Sequence, residues 1–84
     1  MVSCAEHDYV EVACLYKLPV ILTLRSGEEL EGVAMDTQRN QDRAECLKIK
    51  TGNDEQLVVL DQILHMEATE LNPHFRKVVF DKQP

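Results

Sequence analysis

The sequence predicts a mainly β domain, with one short N-terminal helix followed by about five short, strongly bent antiparallel strands forming a small barrel. Three observations carry this expectation. Apolar residues recur at helical spacing only ahead of Pro19, they alternate with polar ones in short runs after it, and glycine or Asn/Asp turn signals separate those runs. Closure into a barrel is the expected way for such strands to protect their edges.

Taken in order, Asp8, Tyr9, Val10 and Glu11 have the form of a capping box, so a helix is expected to begin at Asp8. Tyr9, Val12, Ala13 and Tyr16 share a face at helical spacing, with Val10 and Cys14 on its flank, and the two tyrosines are expected to pack the helix onto the barrel. Pro19 disfavours helical geometry at Leu18 and ends the helix before it. Residues 19–24 form a β-branched strand, with Val20, Leu22 and Leu24 on one face. A turn through Gly27 leads to a second strand in which Leu30, Gly32 and Ala34 oppose Glu29, Glu31 and Val33, and Gly32 marks a bend or bulge. Residues 36–43 are polar and aperiodic, hence an expected loop. Residues 46–50 and 56–60 flank a turn at 51–54 and read as a hairpin. A further strand is expected at 63–68, Asn72 and Pro73 break the pattern, and a short closing strand follows at 77–80. The N-terminus is expected to be flexible and residues 81–84 frayed.

Eighty-four residues suit one domain spanning 1–84, which buries roughly 60 to 65% of its unfolded surface and leaves little room for a deep enzyme pocket. No catalytic activity is expected. The formal net charge is -6, from 15 acids and 9 bases. That balance argues against phosphate-backbone binding and favours a basic partner. Most of the excess precedes residue 37, where Glu6, Asp8, Glu11, Glu28, Glu29, Glu31 and Asp36 face only Lys17 and Arg25. There is no apolar run of about 20 residues and no signal-peptide pattern, so a cytoplasmic protein with no membrane contact is expected. Cys4, Cys14 and Cys46 are odd in number without a C-x-x-C pair and are read as reduced thiols. Of these cysteines and His7, His65 and His74, only Cys4 and His7 are close in sequence, so neither a metal nor any other cofactor is expected. His65 is expected to be a strand residue making one hydrogen bond, and Glu28, Glu29 and Glu31 a solvated face.

Two segments are candidate interaction surfaces. Glu6, His7, Asp8 and Glu11 gather at the start of the helix, where the carboxylates are spaced to meet one Arg-rich patch. The plainer explanation is that Asp8 and Glu11 only cap the helix. Arg39, Asn40, Gln41, Asp42 and Arg43 form the second candidate, a loop rich in hydrogen-bonding groups, whose plainer explanation is a solvated connection.

The stretch from Val20 through Gly27 and Gly32 to Asp36 resembles the first motif of Sm-like barrels. A broader likeness runs through Cys4, Asp8, Glu11, Cys14, Leu18, Leu22, Leu24, Gly27, Leu30, Ala34, Asp36, Leu60 and Ile63, by which the chain resembles the Rof family, also called YaeO, of Rho-binding antitermination proteins. It departs at His7 and Tyr9, where a tyrosine and an asparagine are usual, and the stretch 36–45 is one residue longer. The resemblance implies a monomeric, bacterial, Sm-like protein that binds the hexameric termination factor Rho at its RNA-binding N-terminal domain. It would compete there with RNA and inhibit Rho-dependent termination, with Asp8 and the loop in the interface. The alternative is an Sm-like RNA-binding module that assembles into an oligomeric ring, which Arg39, Asn40 and Arg43 would serve.

Overall fold

Helix α1 occupies Cys4–Leu15 in the computed structural model, which describes residues 4–80, with side chains from residue 7 onward. The helix therefore begins earlier than the capping box suggested, and Asp8 and Glu11 lie within it rather than at its cap. The reason is that the buried stripe of Val10, Ala13 and Cys14 carries the helical periodicity, and His7 and Asp8 ahead of it are not buried and add nothing to that pattern. At the other end Leu18 N donates to Ala13 O at 2.9 Å and Lys17 N to Cys14 O at 3.2 Å. These are the two bonds of a Schellman cap, with Lys17 taking the left-handed position at φ 50° that glycine usually fills.

The strands are β1 (Pro19–Leu24), β2 (Glu29–Arg39), β3 (Glu45–Thr51), β4 (Asp54–Val59), β5 (Ile63–Ala68) and β6 (Lys77–Val79), with a 3-10 turn at Leu60–Gln62. They form one antiparallel sheet in the order β4-β3-β2-β1-β5-β6. The expected class, mainly β with a single helix, holds. The closed barrel of about five strands does not. Six strands pair in an unclosed sheet whose edges are β4 and β6.

The expected loop at 36–43 is also corrected, because β2 continues to Arg39 and only residues 40–44 connect it to β3. The first part of β2 pairs with β1, from Glu29↔Thr23 to Val33↔Pro19, and the second with β3, from Val33↔Lys50 to Arg39↔Glu45. The ladder slips between Ala34 and Asp36, a bulge that reverses the alternation. Leu30, Gly32 and Ala34 point inward before it, whereas Asp36 and Gln38 point to solvent after it. A polar run can thus be a strand, since its inward positions fall to Met35 and Thr37.

Val10, Ala13, Val20, Leu22, Ala34, Leu47, Ile49, Ile63, Met66 and Phe80 build the core, with α1 lying chiefly on β2 and touching β6. Tyr9 and Tyr16 do not enter it. Tyr9 meets Phe75 edge-on at 6.0 Å and Tyr16 stacks on His74 at 4.5 Å, so they join the helix to the connection between β5 and β6 instead of to the sheet. Asn72 holds that connection by accepting from His74 N and Phe75 N through Oδ1. His65 lies in β5 as expected, and its buried Nδ1 has no hydrogen-bond partner. The expectations of a flexible N-terminus and of fraying at 81–84 fall on residues outside those described.

At Gly32 an added Cβ would overlap the carbonyl oxygen of Lys50 and sit 2.8 Å from Ile49 Cγ1. Because the carbonyl belongs to the neighbouring strand, relief requires β2 and β3 to separate. Gly32→Ala is expected to destabilise the protein by about 1–3 kcal/mol, read as a lower denaturant midpoint at an unchanged slope. Gly27→Ala meets no atom within 4 Å, although φ is +95° there, and its cost should come from backbone strain alone.

Candidate functional site

The two segments singled out in the sequence are brought side by side. His7 projects from α1 toward the start of β3, with Nε2 2.6 Å from Glu45 Oε2 and Nδ1 3.6 Å from Glu11 Oε2. An ionised carboxylate only accepts, so Nε2 donates to Glu45. His7, Arg39, Arg43 and Glu45 then line one cleft of about 290 Å³, shared with Leu60 and Asp61. The side chain of Glu6 lies outside the described residues.

Asn40 is an organiser of the connection between β2 and β3. Its Oδ1 accepts from Asp42 N at 2.9 Å and Ala44 N at 3.0 Å, while its backbone exchanges bonds with Ala44 O and Arg43 N. Arg39 Nη1 donates to Arg43 O at 3.0 Å across the base, and Arg43 takes a left-handed φ of 65°. With the backbone satisfied internally, the side chains of Gln41, Asp42 and Arg43 face solvent and are available to a partner.

On the other side of the helix, Asp8 and Glu11 border a second, more open groove of about 670 Å³ against β2. Its walls include Val12, Leu15, Met35, Asp36 and Thr37. Three carboxylates, those of Asp8, Glu11 and Asp36, thus rim an apolar floor from which Leu15 stands largely exposed. Met35, Asp36, Thr37 and Glu45 were not among the sequence candidates. The bulge that turns β2 and the tertiary placement of α1 put them there, and neither has a local signature. The acid of the first half of the chain is consequently divided. Glu28, Glu29 and Glu31 lie near the turn between β1 and β2, the nearest of them, Glu31, about 17 Å along the strand from Asp36. Thr23 Oγ1 reaches Glu29 Oε2 at 3.5 Å, and these glutamates form a solvated face.

Among the described residues no three His, Cys, Asp or Glu side chains converge so as to hold a metal ion. Cys14 and Cys46 are buried free thiols. Burial, with Asp36 and Glu11 adding to it against the opposing pull of Lys17, pushes the Cys14 thiol up to about 11, and burial likewise raises that of Cys46.

Shallow, open features with a mixed apolar and charged lining suit contact with the surface of another macromolecule more than enclosure of a small substrate. By fold the molecule is a small single-sheet β domain with one helix packed on it. More specifically, it belongs to the family of modulators of Rho-dependent transcription termination (ROF), whose family model matches residues 1–80. It is also similar to a solved structure described as YaeO bound to magnesium, from Vibrio cholerae O395. That likeness has 46% sequence identity and a TM-score of 0.86, and covers 88% of this chain and 96% of that one. No curated protein sequence matches at a significant level.

The Cys14 environment leads to a pH-dependent outcome. The folded thiol holds its proton to a higher pH than the unfolded one, whose value is 9.0. Stability is therefore undiminished below pH 9 and falls as pH rises from 9 toward 11. Comparison of wild type with Cys14→Ala by urea unfolding should show this share of the loss, on the order of 2 kcal/mol, missing from the variant.

Proposed function

We propose that this protein binds Rho and occupies its primary RNA-binding site, so that RNA is displaced and Rho-dependent termination is inhibited. The observation that carries the proposal is the acid-rimmed groove of Asp8, Glu11 and Asp36 on one side of α1, with the 40–44 loop on the other, in a chain that belongs to a Rho-modulating family. A site that holds RNA presents Lys and Arg, and a negative surface meets it by the same electrostatics as phosphate. The apolar floor adds contact to the aliphatic stems of those long side chains. In this reading Asp8 and Glu11 meet basic groups directly, Gln41, Asp42 and Arg43 form the polar rim, and His7, Arg39 and Asn40 hold the two parts together. Glu6 joins the acidic end of the helix. The place of action is the bacterial cytoplasm, and nucleic acid is a competitor, not a ligand.

The alternative, a ring of RNA-binding subunits, needs a free strand edge on each side of the sheet. On one side the edge strand is β6, which covers β5 through His65↔Val79, Met66↔Val78 and Glu67↔Lys77 and, at three residues, leaves only a short edge for a neighbour. This supports a monomer, for which light scattering should give a mass near 9.6 kDa.

Purified Rho and a labelled single-stranded RNA provide the test. The protein should raise the apparent Kd of Rho for RNA at low salt, and the effect should weaken as salt screens the contact. Asp8→Lys should lower affinity for Rho about tenfold, with most of the change in association rate. An unchanged RNA affinity at low salt would overturn the proposal, and an unaltered Asp8→Lys complex would remove Asp8 from the interface.

A further inference from the structure

Resting on the reading that α1 and the 40–44 loop act as one surface, we infer that His7 is a positioning residue, a latch that sets the loop against the helix through Glu45. Helix α1 packs chiefly on β2 with a smaller contact to β6, so apolar packing fixes it against the middle of the sheet but not against the loop. The polar link across that gap is the imidazole of His7. It is more sheltered than its partners, 28% exposed against 45% for Glu45 and 59% for Glu11, and it addresses both with opposite ring nitrogens. Glu45 is well placed to transmit the restraint. It opens β3 directly after the loop and pairs with Arg39, the last residue of β2, so it stands at the base from which the loop projects.

Within the loop the amides of Asp42, Arg43 and Ala44 all donate to Asn40, and Asn40 N donates to Ala44 O. The loop is thus closed by its own backbone bonds, and these open more readily once its base is no longer held against the helix. A single half-exposed pair is too weak to hold the fold together, yet enough to bias such a local opening.

Amide hydrogen exchange and Rho binding of His7→Ala, His7→Gln, Glu45→Ala and the His7→Ala/Glu45→Ala double variant test the latch. In His7→Ala the amides of residues 40–44 should exchange about fivefold faster, while those of Leu47 and Ile49 in β3 stay as protected as in wild type. His7→Gln, whose side-chain amide can still donate to Glu45, should restore slow exchange. Unchanged exchange at 40–44, or a rise spread equally over β3, overturns the latch, whatever Rho does. On Rho, each single alanine variant should weaken binding about fivefold and the double variant no further, because both break one interaction. Additive losses would mean that the two residues touch Rho separately, which also overturns the latch. A wild-type protein that fails to bind Rho would overturn the functional reading, while the exchange result still decides the latch.

Discussion

The candidate surface depends on the change of partner that β2 makes at Val33. Up to that residue β2 pairs with β1, and from it onward with β3, so one strand joins the two halves of the sheet. Two local features allow this. Gly32 lets the backbone of β3 approach where any side chain would collide with the Lys50 carbonyl, and the bulge after Ala34 re-aims the rest of the strand. Without the bulge, Asp36 and Gln38 would point into the core, where an unpaired carboxylate is very costly. With it, Asp36 reaches the groove under α1, and Arg39 arrives at the base of the loop beside Glu45.

The electrostatic character of the surface follows from this placement more than from total charge. A net charge of -6 spread over a small domain would be largely screened at the ionic strength of a cell, since the Debye length there is about 8 Å. What survives screening is local: Asp8, Glu11 and Asp36 around one groove, with Glu28, Glu29 and Glu31 too far along β2 to reinforce it at contact range. Of the basic residues of the neighbouring cleft, Arg39 is engaged with the loop itself by donating to the Arg43 carbonyl, whereas the Arg43 side chain faces solvent. The two sides of the helix therefore differ, one acidic and open, the other mixed and narrower. That asymmetry makes the two faces of the helix chemically distinct.

Most of the element order was legible in the residues. The hairpin of β3 and β4, the strand at Ile63–Ala68 and the break at Asn72 and Pro73 announced themselves by alternation and turn chemistry, which are local. The errors arose where local pattern and tertiary role part. Asp8 and Glu11 have capping-box spacing, but i, i+3 acids serve equally well on an exposed helix face. Tyr9 and Tyr16 fall on a plausible packing face, yet their partners come from 74 and 75, far along the chain. Barrel closure was inferred from the need to protect edges, and β6 meets part of that need by covering β5.

By itself the sequence determined the class of fold, the boundaries set by turns, the acidic bias and, through scattered motif residues, the family; each is a property of short windows or of composition. Only the tertiary structure decided which acids act together, that His7 faces Glu45 across 38 positions, and that polar residues 36–39 are strand. Those outcomes hinge on the register of β2 against β3 and on how α1 lies over it. Register is a property of two strands packed on a shared core, and no single window of the chain contains it.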